Sequence, residues 1–201
     1  MVAVVVALVM AQAPSAADFF PLVPGTKWTY QGDVGGLAST QVDVVKEPIE
    51  IDGKPAYPVV TQVSGRIVGS SYYRVEGDTV YLVAEDPKKP FQTPQPVLKV
   101  GSGRATWKFE GFGGFIGSEA PLRMNGVSVI KKDRPVLDRK VDALEVKLDT
   151  IMGSEGHVAM TGKQTAYYAK GIGLAELVSE QVVQKQRSKM SLKLVKFEPP
   201  Q

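Results

Sequence analysis

The sequence predicts an all-β fold: an antiparallel meander of about 10–12 strands forming a curved open sheet or half-barrel from two repeated halves. Three observations carry that expectation. Apolar and polar residues alternate with period two over most of the chain, glycine-containing turn signals arrive about every 8–12 residues, and a set of landmarks recurs in order. Alternation buries one face of a strand and wets the other, and glycine supplies the positive φ that tight hairpins need.

Residues 2–10 are an unbroken apolar run, followed by Ala11-Gln12-Ala13-Pro14-Ser15-Ala16-Ala17. An apolar core with small residues after it is the pattern of a secretory leader, and nine residues fall short of the roughly 20 that span a membrane. The expected signal peptide is 1–16, with cleavage after Ala16 favoured over Ala13 because Pro14 would directly follow the second cut. No Lys or Arg precedes Lys27, so the basic start of a leader is missing; a start site placed too far downstream would explain it. The chain has no cysteine to carry a lipid anchor.

A single β domain is then expected over 19–198. Val42 and Val44 alternate with Asp43 and Val45, Leu144, Val146 and Leu148 with Glu145 and Lys147, and Leu192 and Leu194 with Lys193. Val141, Leu144, Leu148 and Ile151 also fit a 3.6 period, as do Val183, Met190 and Leu194 loosely. Strand is the favoured reading of 140–150 and 180–195, with helix left open. Turn signals include Gly35-Gly36, Asp52-Gly53, Gly65, Gly77-Asp78, Gly111, Asn125-Gly126, Gly162, Gly171 and Gly173.

The landmarks divide the domain. Trp28-Thr-Tyr30-Gln-Gly32 is answered by Trp107-Lys-Phe109-Glu-Gly111, and Val42-Asp-Val44 by Val127-Ser-Val129. Ile51-Asp52-Gly-Lys54 is answered by Leu137-Asp138-Arg-Lys140, and Tyr72-Tyr73 by Tyr167-Tyr168. The halves expected are about 19–84 and 97–198, joined by a Pro-rich crossover at 86–96, where four prolines limit ladder hydrogen bonding. A five-stranded half buries little apolar area alone, so each is expected to need the other.

Composition restricts the chemistry. The 201 residues include no Cys and one His, with 24 basic and 21 acidic side chains for a net charge of +3. Disulfides, thiolate metal sites and cysteine nucleophiles are excluded, and +3 is weak attraction for a polyanion. His157, with Glu155 nearby, sits in a Gly-rich turn and reads as a loop histidine; there is no Gly-x-Ser-x-Gly elbow to supply a triad serine. Gly111-Phe-Gly113-Gly114 misses dinucleotide spacing, and Gly162-Lys163-Gln164 lacks the remainder of a P-loop. Asp142, Glu145 and Asp149, interleaved with Arg139, Lys140 and Lys147, read as a solvated face with cross-strand ion pairs. Lys185, Arg187, Lys189 and Lys193 read as protection of an exposed strand edge, with an anionic lipid or glycan stripe as the sharper alternative. No catalytic, cofactor-binding or metal-binding residue is expected, and no cofactor.

The opening Phe19-Phe20-Pro21-Leu22-x-x-Gly25-x-x-Trp28-x-Tyr30 resembles that of exported bacterial β-proteins of uncharacterised function, and Tyr168-Ala-Lys-Gly171-Ile-Gly173-Leu174 is similar to an element near their ends. The resemblance implies a strongly curved antiparallel sheet, distantly similar to lipoprotein-carrier half-barrels. Such carriers cover their concave face with helices, and this chain shows no amphipathic helix.

The resulting expectation is a non-enzymatic binding or structural β protein, exported to the periplasm or exterior. The alternatives are a carrier of a lipid or lipidated partner and a hydrolase with a carboxylate site. Expected partners are an apolar or lipid-like ligand or an envelope protein, without nucleic acid and without a transmembrane span in the mature chain. Trp28, Tyr30, Trp107, Phe109, Tyr73 and Tyr168 are the candidate ligand or structural-motif residues.

Overall fold

A computed structural model describes residues 14–115, 118–154 and 157–200; the expected leader segment 1–13 lies outside them. One helical turn, α1 (Ala16–Phe19), precedes β1 (Lys27–Val34), β2 (Leu37–Val45), β3 (Ile49–Ile51), β4 (Lys54–Val63), β5 (Arg66–Glu76), β6 (Thr79–Ala84) and β7 (Gln95–Lys99). The second half of the chain forms β8 (Arg104–Phe115), β9 (Ser118–Val136), β10 (Arg139–Ser154), β11 (His157–Ala169), β12 (Gly173–Val183) and β13 (Gln186–Glu198). The all-β, antiparallel class therefore holds, and 140–150 and 180–195 are strands.

Thirteen strands exceed the 10–12 expected, and the short or atypical ones account for the difference. β3 is three residues pairing only with β4, off the main sheet path. β7 occupies the end of the Pro-rich stretch, with Pro96 opposite Tyr81. It lies at the end of the sheet path, where a missing N–H donor is tolerated.

The remaining strands form one sheet in the order β7-β6-β5-β4-β2-β1-β13-β12-β11-β10-β9-β8. Each half is a meander, and they meet where β1 pairs β13 along its whole length, from Lys27 opposite Glu198 to Val34 opposite Met190. The sheet curls until β7 and β8, joined by a short loop, come side by side in a nearly closed barrel. Among the described residues no ladder joins them. The Ser128 hydroxyl donates instead to the Lys99 carbonyl, and Gln95 Nε2 donates to the Phe112 carbonyl at 3.2 Å. Both side chains are buried, so the seam is held by side-chain bonds to the backbone in place of strand pairing.

The core lies inside this curl. Trp28, Tyr30, Val45, Val59, Leu98, Leu144, Val146, Ala166, Tyr168, Leu177, Leu192 and Leu194 form one apolar cluster. A second cluster, Phe109, Leu122, Met124 and Met152, lies on the long strands β8–β10. The outer face carries cross-strand pairs: Lys132–Asp142 at 2.6 Å, Arg134–Glu176 at 2.6 Å and Lys131–Glu145 at 3.4 Å. This is the solvated face the charge pattern predicts for β10.

Two readings are corrected. Asn125-Gly126, a strong hairpin signal, lies in the middle of β9 opposite Lys108 and Trp107. A side chain on Gly126 would place its Cβ 2.0 Å from the Trp107 ring, so the glycine is there to let the indole lie across the strand. Gly111 and Gly162 are likewise strand residues, in β8 and β11. The Lys189 and Lys193 stripe is not edge protection, because β13 is paired on both sides, by β1 and β12. Lys189 instead faces Glu180 across the ladder at 3.7 Å.

Replacing Ser128 by Ala strands the Lys99 carbonyl at the seam. A loss of about 1–3 kcal/mol is expected in urea unfolding, with the slope against denaturant unchanged because the surface exposed on unfolding is the same.

Candidate functional site

The chain entering β1 is folded into the barrel as a plug. Ala16, Phe19, Phe20 and Leu22 are all buried, and the favoured leader junction after Ala16 would fall inside the helical turn that places them. The Gly171 N–H donates to the Asp18 carbonyl at 2.7 Å, tying the plug to the β11–β12 turn. Phe20 stacks on Trp28 with ring centroids 6.2 Å apart. It meets Tyr73 and Tyr168 edge-on at 5.1 and 5.8 Å.

Trp28 fixes the same turn from below. Its indole N–H donates to the buried Ile172 carbonyl. Gly173, at φ +106, passes so close that a Cβ there would lie 3.0 Å from the indole nitrogen. Both the positive φ and the close approach require glycine. The Trp-x-Tyr of the first strand and the Gly-x-Gly near the chain's end are therefore two sides of one contact.

Beneath the plug is a cavity of about 310 Å3. Phe20, Trp28, Tyr30, Tyr73 and Tyr168 line it toward the plug; Gln41, Asp43, Thr61, Ser71 and Gln164 line it among the half-buried residues. The ladder explains the gathering. Trp28 is opposite Asp43 and Tyr30 opposite Gln41 across β1–β2, while Asp43 is opposite Thr61 across β2–β4. Alternation sends all of these side chains inward.

Asp43 is the carboxylate of this lining, and among the described residues the lining contains no Lys, Arg or His. Gln41 Nε2 donates to both of its oxygens, at 3.0 and 3.1 Å. Burial pushes the Asp43 carboxyl above its ordinary 3.8, against hydrogen bonds from Thr61 and Gln41 that pull it down. Burial also raises Tyr73 to about 12, with Asp43 and Glu85 adding to the rise. Tyr30 is raised by burial first and then by Asp43, Tyr168 and Tyr73; Tyr168 is raised by burial and by Tyr73. Three phenols and a carboxylate thus converge on one partly open space.

Of the candidate residues, the fold brings Trp28, Tyr30, Tyr73 and Tyr168 together on this cavity. Trp107 and Phe109 lie elsewhere: Trp107 over Gly126, Phe109 in the second cluster with Met124 and Met152. The Trp107 indole N–H is buried with no acceptor among the described residues. Asp43, Gln41, Thr61 and Gln164 went unrecognised in the sequence. The available signal was the strand opposite the Trp-x-Tyr pair, whose inward positions are polar.

His157 opens β11 opposite Ser154, while Glu155 lies outside the described residues. Among the described residues no group of three or more metal-ligating side chains is present. Two other concavities differ in kind. One, on the outer face, is bordered by Asp149, Lys163, Glu180 and Arg187, with balanced charge. The other, beside the plug, includes Arg74, which is engaged by the Ile51 and Pro55 carbonyls at 2.7 and 3.3 Å.

No protein-family model matches the chain, and no curated protein matches it. Two solved structures are similar over 90% of the chain, each with a TM-score of 0.46. One, from Bacteroides fragilis NCTC 9343, is described as exported with a YmcC-like fold; it is 12% identical and 99% of it is covered. The other, from Parabacteroides distasonis ATCC 8503, is described as a lipoprotein; it is 14% identical and 98% of it is covered. Likeness at this level assigns no function.

Two outcomes test the geometry. Trp28→Phe leaves the Ile172 carbonyl buried and unpaired, so it should cost about 1–3 kcal/mol beyond lost packing, whereas Trp107→Phe loses packing and removes a buried unpaired N–H, which offsets part of that loss. Urea unfolding of both variants separates the two. Asp43 has the opposite sign. With its folded pKa raised, the unfolded chain releases this proton first as pH rises, so ionisation subtracts stability above 3.8. Asp43→Asn should therefore be the more stable protein at neutral pH, its advantage fading as pH falls through the ordinary carboxylate range. Unfolding against pH measures this directly.

Proposed function

We propose that the chain is an exported, non-enzymatic β protein that binds a small molecule in the cavity under its N-terminal plug. One observation carries this reading: a carboxylate with no cationic neighbour among the described lining residues is held in an aromatic-walled space inside the barrel. Such a group lowers stability, and partly desolvated ionisable groups of this kind gather at functional sites. Its contribution is then to a ligand.

The size of the space supports a small ligand. About 310 Å3 lies at the lower end of small-molecule pockets, which run from about 300 to 1,000 Å3. That is little room for a diacyl lipid, so the size favours a compact polar molecule over the lipid-carrier alternative. Hydrolysis of a glycoside uses two facing carboxyls, and the described lining presents Asp43 alone; this favours binding over catalysis. Export rests on the apolar run 2–10 and the small residues 11–17 that follow it, which direct the mature chain to the periplasm or beyond.

Native mass spectrometry of the protein purified from its own host tests the reading. A bound molecule should appear as a discrete added mass that is lost on denaturation. Thr61→Trp, which fills the half-buried side of the cavity, should release it from a folded protein. An unliganded mass for the parent protein would count against binding.

A further inference from the structure

Resting on the reading of the cavity as a binding site, we propose that its ligand is a small organic cation, an amine or quaternary ammonium compound seated between Asp43 and the aromatic wall. The chemistry of the lining is one-sided. Asp43 carries a negative charge, and among the described residues no Lys, Arg or His lines the space to balance it. Its described side-chain partners, Gln41 and Thr61, are neutral. They satisfy lone pairs and leave the charge uncompensated. A buried carboxylate is stabilised far more by an opposite charge than by neutral donors.

The rest of the wall is suited to supplying that charge from a ligand. Phe20, Trp28, Tyr30, Tyr73 and Tyr168 line the same space beside Val59, Leu174, Leu177, Met190 and Leu192; an aromatic ring face carries the negative end of its quadrupole, and the aliphatic side chains offer apolar volume. An alkylammonium group gains from ring faces and from a carboxylate together, while its methyl or methylene groups fill apolar volume. An anionic ligand would instead meet Asp43 as a like charge. A neutral apolar ligand would cover the half-buried Asp43 and leave its charge uncompensated. Gln164 and Ser71 on the polar side can accept or donate to a hydroxyl or amide elsewhere on the molecule.

The test uses the full folded chain and matched probes. Tetramethylammonium, choline and cadaverine are titrated by calorimetry beside neutral analogues of similar shape, called isosteres below: 2,2-dimethylpropan-1-ol for tetramethylammonium, 3,3-dimethylbutan-1-ol for choline and pentane-1,5-diol for cadaverine. At least one cation should bind about tenfold or more tightly than its isostere, and Asp43→Asn should remove that preference without weakening the isostere. Asp43→Asn is expected to fold, and circular dichroism confirms that the loss is local. Isosteres that bind as well as the cations, or a preference that survives Asp43→Asn, would overturn the cationic ligand and leave a binding cavity standing. Failure of cations and isosteres alike at millimolar concentration would overturn the cationic ligand, and an unliganded host-purified protein would remove the binding reading with it.

Discussion

The contact between Trp28 and the turn Gly171-Ile172-Gly173 is the constraint from which the remainder of the architecture follows. It joins the first strand to the segment entering β12, over 144 residues of sequence, through one buried hydrogen bond. The partner carbonyl has no access to water, so losing the donor leaves a polar group stranded. Gly171 ties the same turn to Asp18, and this brings Phe19 and Phe20 into the barrel. Each fully buried aromatic contributes about 1.5–3 kcal/mol. One latch therefore ties β1 to the β11–β12 turn and seats the plug that roofs the cavity.

Around that latch the barrel shows a division of labour between its faces. Outside, charges alternate from strand to strand and find opposite partners across the ladder, an arrangement that keeps the surface wet and contributes little individually. Inside, most of the volume is filled by aliphatic and aromatic side chains, except where β1, β2, β4 and β11 turn Tyr30, Asp43, Thr61 and Gln164 inward. A purely structural core would place aliphatic residues there. The cavity wall mixes the two kinds: Gln41, Asp43, Thr61 and Gln164 stand beside Val59, Leu174, Leu177, Met190 and Leu192, and Phe20, Trp28, Tyr73 and Tyr168 belong to the core and to the wall alike.

What could be read in advance follows from how local each signal is. Period-two alternation along β10 and β13 is a property of a few neighbouring residues, and it identified these strands although a helical period also fitted. The aromatic landmarks were legible for the same reason, although alternation sends Tyr168 inward and its neighbour Tyr167 out to Glu145 and Arg134. Gly126 was misread because its cause lies on another strand: nothing near it in sequence says that Trp107 will cover it. The charges of β13 were misread because strand position in a sheet is a long-range fact, set by pairing with β1 at the opposite end of the chain. Asp43 escaped notice because a lone carboxylate among valines looks like the solvated side of a strand. Its inward direction is fixed only once Trp28 is placed opposite it.

A crystal structure of the protein purified from its own host would test the central claim most directly. The account predicts ordered density for a compact molecule under Phe20, in contact with Asp43 and the surrounding rings. A space closed by its own side chains, with the Asp43 carboxylate turned to solvent, would contradict it.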